Sequence, residues 1–190
     1  MRLRSTDSGW GALVRAFHWL IAVLIVAQAV IGLTMVQMGV TPAKVRVFAW
    51  HKSIGMTILA LVLLRIVWRL GERKPADPPT MPRWQRNAAR TMHLALYVLI
   101  LAIPLSGWWF NSASNAPLVW FGFFNIPGLT DGYAPLWKPR ALLLHQVLFW
   151  VLVALLVAHV GAALWHHFRQ RDDVLRRMIS GPRRKTGDTR

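Results

Sequence analysis

Three long stretches of the chain contain no Asp, Glu, Lys or Arg, and each is long enough to cross a lipid bilayer. They cover residues 16–38, 91–110 and 141–167. A helix needs about 20 predominantly apolar residues to cross the hydrocarbon core. A weaker stretch at 50–70 contains Lys52 and Arg65, and we include it as a fourth span. The sequence therefore predicts an all-α membrane protein, a four-helix transmembrane bundle in one domain over residues 1–190.

The composition excludes several other classes of protein. Hydrophobic residues make up 55% of the chain and charged residues only 16%, where a soluble domain carries about a quarter. The net charge of +16 therefore does not indicate a nucleic-acid-binding protein, whose basic residues would cover a polar surface. The high hydrophobicity excludes disorder. Because cysteine is absent, disulfides, zinc–thiolate sites, iron–sulfur clusters and covalently attached haem are excluded too.

The cations are unevenly divided between the two sides of the predicted bundle. Eighteen flank the chain ends and the connection between the second and third spans, and five flank the other two connections. Loops rich in Lys and Arg stay in the cytoplasm, so we expect both termini there. The five outer cations are Lys44, Arg46, Lys52, Lys138 and Arg140. We expect the first span to be retained, because signal peptides have a shorter apolar core of roughly 7–15 residues.

Two segments outside the spans carry their own predictions. The outer loop at 111–140 contains Trp120 and three phenylalanines close together, and we expect it to lie in the membrane interface. The segment 172–178 alternates charged and apolar residues, which predicts a short amphipathic helix on the inner surface.

Histidines recur at one interval along the predicted helices. His145 and His159 are 14 residues apart on the fourth span, so both project from one face about 21 Å apart along the axis. On the other spans the same interval separates His18 from Gly32, His51 from Arg65, and His93 from Gly107. The interval defines an outer level with His51 and His145, and an inner level with His18, His93 and His159. Ionisable residues inside a membrane are costly and indicate a functional site.

Pairs of neutral imidazoles without thiolate or carboxylate ligands favour six-coordinate haem b. Helix bundles hold such cofactors between facing helices. We therefore predict two haem b groups, one at each level. His51 and His145 form the outer ligand pair. At the inner level His159 is one ligand, and His18 and His93 remain alternatives for the other.

Small and charged residues at the same levels extend the candidate sites. Gly32, Gly55 and Gly107 would leave room for a flat macrocycle, although glycines in membrane helices also permit close helix packing. Arg65 lies at the inner level, and no span contains an acidic residue to pair with it. A haem propionate would supply a bidentate partner, and the alternative is that Arg65 extends to the nearby membrane surface. We expect His166 and His167 at the interface.

Several segments of the chain resemble the bacterial cytochrome b561 family. They are FHWL at 17–20, HKSIG at 51–55, RIVWRL at 65–70, HLALYVLILAIPLSGW at 93–108, and HHF at 166–168 followed by DDVLRRM. The ordered set covers nearly the whole chain. Members of the family are four-helix di-haem b cytochromes of the bacterial inner membrane, related to the cytochrome b subunits of nickel–iron hydrogenases.

The resemblance implies a ligand set and an activity. Mapped onto this chain, the family pattern implies His18 with His159 for the inner haem and His51 with His145 for the outer haem. It implies that His93 is not a ligand, and we expect this residue to bond a propionate or a quinone headgroup. One activity in the family is the oxidation of superoxide coupled to the reduction of ubiquinone, which makes ubiquinone a second expected cofactor.

We therefore expect single-electron transfer across the inner membrane between a periplasmic-side donor, with superoxide as one candidate, and the quinone pool. The outer cations would steer a small anion, although basic residues are also common at membrane interfaces. A membrane-anchor subunit of a larger redox complex, such as a hydrogenase, is the second hypothesis. A non-redox transporter or a structural membrane protein is the third. The expected partners are lipid, quinone and a small anion or redox protein, and not nucleic acid.

Overall fold

The computed structural model describes residues 3–77 and 81–181. Four long helices form the body of the fold: α1 (Ala12–Gln37), α2 (Pro42–Leu70), α3 (Arg83–Ala113) and α4 (Lys138–Trp165). Each has the length and hydropathy of a membrane span, which confirms the four-helix prediction. A π-helical turn, His166–Gln170, extends α4, and the predicted short helix is confirmed as α5 (Val174–Ile179).

The helices begin before the predicted spans. The difference is largest for α2, which begins at Pro42, and for α3, which begins at Arg83. The span prediction stopped near charged residues, whereas a helix continues past the hydrocarbon core while its backbone bonds are satisfied. At α2, Thr41 Oγ1 accepts a hydrogen bond from the Lys44 amide at 3.2 Å, and Pro42 occupies the first turn. A capping threonine followed by proline is a typical helix start.

Consecutive helices pack side by side, α1 on α2, α2 on α3 and α3 on α4. We call the end of the bundle that contains the start of α1 and the end of α4 the terminal end, and the opposite end the loop end. The middle of the bundle is apolar. One buried cluster contains Ile21, Ile58 and Val62, and a second contains Leu96, Leu99 and Leu152. The polar sites described below lie on either side of this apolar layer.

At the terminal end, the N-terminal segment, the α2–α3 connection and α5 are hydrogen-bonded to one another. The Ala76 amide donates to the Asp7 carbonyl at 3.0 Å, and Arg177 donates to the Ala76 carbonyl at 2.7 Å. Arg15 and Trp19 of α1 donate to carbonyls at the end of α5, at 2.8 and 3.0 Å. Five of the cations used to predict topology lie outside the described residues: Arg2, Arg183, Arg184, Lys185 and Arg190.

At the loop end, a small hairpin packs on α2. Its strands β1 (Val119–Trp120) and β2 (Phe124–Asn125) are antiparallel. The buried hydroxyl of Ser53 accepts from the Phe121 amide at 2.9 Å, and the Trp120 indole donates to Thr57 at 3.1 Å. Lys52 donates to the Pro117 carbonyl at 2.5 Å. This contact explains how α2 carries a lysine in an apolar stretch, because the ammonium group reaches a carbonyl of the loop.

Candidate metal centres

Two histidines from different helices face each other near the loop end. The ring centroids of His51 on α2 and His145 on α4 are 6.2 Å apart, with the ring planes 79° from parallel. A metal–imidazole bond is about 2.0 Å long, and the ring centre lies roughly 1.1 Å behind the ligating nitrogen. Two imidazoles on opposite sides of one metal therefore have centroids about 6.2 Å apart. The observed separation fits axial ligands of one metal.

Three histidines meet near the terminal end. The centroid of His159 on α4 lies 6.4 Å from that of His18 on α1 and 5.4 Å from that of His93 on α3. The distance between the His18 and His159 rings fits two ligands on opposite sides of one metal. The distance between the His93 and His159 rings is shorter than this arrangement requires. Within residues 3–77 and 81–181, no group of three or more His, Asp or Glu side chains is arranged to hold a bare metal ion.

The partners of the ring nitrogens differ between the histidines. Nδ1 of His145 lies 3.0 Å from the Ile103 carbonyl and 3.1 Å from Ser106 Oγ, which itself donates to Ile103. A proton on Nδ1 satisfies the carbonyl and leaves the lone pair of Nε2 for a metal. Nδ1 of His51 is buried and has no hydrogen-bond partner among the described residues.

Two of the three predicted glycines lie against the loop-end histidines. A Cβ atom on Gly32 would lie 3.2 Å from Cε1 of His51, and one on Gly107 would lie 3.1 Å from Cε1 of His145. Both distances are tighter than ordinary van der Waals contact, so glycine lets each ring lie close to the neighbouring helix. Gly55 does not face a histidine ring, because a Cβ there would meet Nε2 of Gln28 at 3.3 Å.

Arg65 lies beside the terminal-end histidines. Its Nη2 is 3.4 Å from Nδ1 of His18, and its guanidinium carbon lies 5.4 Å from the centre of the Tyr97 ring. Nε of Arg65 is buried, and no residue of the described chain accepts a hydrogen bond from it. The four long helices, which are described throughout, contain no Asp or Glu. A buried guanidinium without a carboxylate partner is suited to bind an anionic group.

The sequence matches a known family over almost its whole length. Residues 9–181 match the profile of prokaryotic cytochrome b561. The chain belongs to the prokaryotic cytochrome b561 family. Cytochrome b561 homolog 2 of Escherichia coli (strain K12) is 36% identical over 94% of this chain and 95% of its own length. Cytochrome b561 homolog 1 of the same organism is 34% identical over 71% and 74%. Probable superoxide oxidase CybB of Yersinia pestis is 28% identical over 85% and 90%.

Membership of the cytochrome b561 family settles the general class. This cytochrome is a haem b protein for membrane electron transfer, and a multi-pass protein of the bacterial inner membrane. Because this is a family of redox proteins, membership excludes the third hypothesis, a non-redox transporter or a structural membrane protein. The residues present fit haem b, because two histidine pairs have axial separations and glycines keep the space beside one pair open.

Four of the five outer cations of this b561 cytochrome contact groups at the loop end. Lys44 donates to the Met38 carbonyl at 2.7 Å, and Lys52 donates to Pro117. Lys138 and Arg140 lie over the rings of Tyr133 and Trp137, at 5.5 and 5.1 Å from the ring centres. Arg46 is exposed. None of these contacts neutralises a charge, so all five cations contribute to a positive field at the loop end.

The two histidines after α4 lie apart from both levels. Nδ1 of His166 is 2.5 Å from Oδ2 of Asp172, which also accepts from the Val174 amide through Oδ1 at 3.0 Å. This pair connects the end of α4 to the start of α5. His167 is exposed and stacks edge-on with Phe168, with ring centres 4.9 Å apart.

Sequence reasoning did not identify Gln28, Ser106 or the Ile103 carbonyl as parts of the sites. Gln28 Nε2 donates to the His51 carbonyl at 2.6 Å, and Ser106 lies beside His145. A signal for the two side chains was present, because each is an isolated polar residue in an apolar run. The carbonyl carried no signal, since every residue has one.

We expect Gly107→Leu to remove haem from the loop-end site. The added side chain meets the His145 ring, and overpacking of this kind costs typically about 1–3 kcal/mol when the neighbours cannot move. The measurement is haem content of the purified protein by its absorption spectrum. Gly161→Leu is the matched control, because Gly161 lies on α4 with nothing within 4 Å of the position of its Cβ. Equal haem content in the two variants would contradict the role assigned to Gly107.

Proposed function

We propose that this cytochrome binds two haem b groups, one at each histidine level, and transfers single electrons between a donor at the loop end and the quinone pool. His51 and His145 would hold the loop-end haem, and His18 and His159 the terminal-end haem. The observation that carries the proposal is the presence of two histidine pairs with centroid separations of 6.2 and 6.4 Å in one bundle. A haem iron supplies one-electron oxidation and reduction, and two imidazoles leave it no open coordination position.

The distribution of cations supports an orientation for this electron path. Of the 18 cations predicted for the cytoplasmic side, the 13 within the described residues belong to the terminal end, and the other five cations of the chain belong to the loop end. Under the positive-inside rule the terminal end faces the cytoplasm and the loop end faces the periplasm. The 14-residue interval between His145 and His159 places the two levels about 21 Å apart. The electron path would therefore run through the apolar middle layer of the bundle.

Arg65 is proposed to bind a propionate of the terminal-end haem. A neutral imidazole has one donor nitrogen and one acceptor nitrogen. When Nε2 of His18 binds a metal, its Nδ1 carries the proton and is a donor. The Arg65 guanidinium is a donor only, so it needs another acceptor, and a carboxylate is the best match. The buried Nε of Arg65, which lacks a partner among the described residues, supports this assignment.

His93 is proposed to bond a propionate or a quinone headgroup instead of a metal. Its ring lies 5.4 Å from the ring of His159, and more than a third of the residue is exposed. An accessible imidazole at this position can donate or accept a hydrogen bond at the edge of the terminal-end site. The resemblance to the b561 family, in which the third-helix histidine is not a ligand, supports the same assignment.

Superoxide is the donor that the loop end favours. A small anion is attracted by five cations, and Asp131 is the only acidic residue in the two loop-end connections. A relative from Yersinia pestis is named probable superoxide oxidase. In the balanced reaction, two superoxide ions each lose one electron to give two dioxygen molecules. One quinone accepts the two electrons and two protons to give a quinol.

The proposed function predicts quinol formation when the haem-loaded protein receives superoxide. The protein is incorporated into vesicles with ubiquinone, superoxide is generated enzymatically, and quinol is measured by chromatography. We expect quinol in a ratio of one per two superoxide ions consumed, above the yield in vesicles without protein. Loss of the loop-end pair in His51→Ala should abolish the difference. Quinol formation that is equal with the wild type and His51→Ala would overturn superoxide as the donor.

A different observation distinguishes the membrane-anchor hypothesis from an independent electron-transfer protein. An anchor subunit purified from its native membrane under mild conditions would carry a larger metalloprotein with it, whereas an independent electron-transfer protein would not. The test is the composition of the native complex, measured by mass spectrometry after affinity purification.

A further inference from the structure

Gln28 is the one polar side chain in a long apolar part of α1. Residues 20–33 of the sequence are otherwise aliphatic residues and glycine. A buried amide costs free energy unless it is hydrogen-bonded. The amide of Gln28 satisfies part of this need across the helix interface, because its Nε2 donates to the His51 carbonyl at 2.6 Å. The residue that receives this bond is a proposed ligand of the loop-end haem.

Two buried atoms at this contact lack a partner. Within the described part of the chain, neither Oε1 of Gln28 nor Nδ1 of His51 has a hydrogen-bond partner. Unsatisfied buried polar atoms are uncommon in proteins and need an explanation. The two atoms belong to residues that already touch. One of them is an acceptor, and the other becomes a donor when Nε2 of His51 binds a metal.

Two glycines keep this contact open. Gly32 lies one turn after Gln28 on α1, and a Cβ there would lie 3.2 Å from Cε1 and 3.6 Å from Nδ1 of His51. The Nδ1 edge of the ring therefore faces α1. Gly55 lies one turn after His51 on α2, and a Cβ there would lie 3.3 Å from Nε2 of Gln28. The two glycines let the glutamine amide and the histidine ring share the space between the helices.

We propose that Gln28 is a positioning residue of the loop-end site, whose side-chain carbonyl accepts a hydrogen bond from Nδ1–H of His51 when the haem is bound. The inference rests on the proposed ligand pair. His145 provides the precedent within this protein, because its Nδ1 lies 3.0 Å from the Ile103 carbonyl. Bonds of this kind fix the tautomer and the orientation of the ring and raise the basicity of the ligand.

The experiment measures the haem content, the midpoint potentials and the low-spin electron paramagnetic resonance spectrum of the full-length haem-loaded protein. Gln28→Met removes the acceptor and keeps the size of the side chain. Gln28→Glu keeps an acceptor oxygen. Gln146→Met is the matched control, because Gln146 is exposed at the level of the loop-end site. The His51→Ala variant identifies which signals belong to the loop-end haem.

We expect Gln28→Met to weaken haem binding at the loop-end site about 10–100-fold, the usual cost of losing an outer-shell partner. A less basic ligand stabilises ferric haem less, so the potential of any loop-end haem that remains should rise. A tenfold change in the ratio of the affinities for ferric and ferrous haem corresponds to about 59 mV for a one-electron couple. The terminal-end haem and the Gln146→Met variant should keep wild-type values.

Each outcome decides the proposal. Unchanged loop-end potential, spectrum and haem content in Gln28→Met would overturn it. If Gln28→Met loses both haems and does not fold, Gln28→Glu decides: a lower loop-end potential supports the bond, and wild-type values overturn it. Failure of the ligand assignment is recognised separately, because His51→Ala would then keep both haems.

Discussion

Replacement of His51 or His145 by alanine is expected to lower the haem content from two per chain to one. Each histidine is proposed to supply one of the two ligands of the loop-end haem, and their ring centroids are 6.2 Å apart. The terminal-end haem should persist, because its proposed ligand His159 lies about 21 Å from His145 along α4 and the apolar layer around Ile58 and Val62 separates the sites. Haem is quantified as its pyridine complex, and a redox titration counts the remaining centres.

The control for this prediction is His167→Ala. His167 is exposed and lies after α4, apart from both histidine levels, so its replacement should leave two haems per chain. A variant without His51 that keeps two low-spin haems would show that this pairing is wrong. Loss of both haems from a variant that still purifies as a folded protein would show that the two sites are not independent.

Replacement of His159 by alanine is expected to remove the terminal-end haem, and replacement of His18 should do the same. The centroid separation of 6.4 Å between these rings fits two axial ligands. Replacement of His93 should leave the haem in place, since this ring is assigned to a propionate or a quinone. We expect one haem per chain in His18→Ala and two in His93→Ala, measured by haem content and by the low-spin spectrum.

This comparison decides between the two histidines that compete for the terminal-end site. Two haems in His18→Ala combined with one in His93→Ala would assign the ligand to α3 and contradict the proposed pair. The two variants control for each other, because both remove an imidazole within 6.4 Å of the same His159 ring. A change in quinone reduction in His93→Ala, with both haems present, would support contact with the quinone.

The sequence was sufficient to predict the four spans and the short helix after α4. Uncharged apolar runs of 20 residues or more have few other stable environments than a bilayer. The starts of α2 and α3 were predicted less well, because the capping Thr41 and the polar first turns lie outside the apolar runs. The docking of the hairpin on Ser53 and Thr57 was not predicted, since single hydroxyl groups in a helix do not reveal their partners.

The sequence by itself determined the two histidine levels, because 14 residues are close to four turns of a helix and the rise per residue of a helix is fixed. The pairing of His51 with His145 was predicted as well, but only the tertiary structure decided how close the facing rings lie, and that Gly32 and Gly107 pack against His51 and His145. It also decided the partners of the ring nitrogens, the Ile103 carbonyl beside His145 and the Gln28 amide beside His51. The physical reason is that periodicity fixes height along a helix, whereas contacts between helices depend on how the helices rotate and pack against one another.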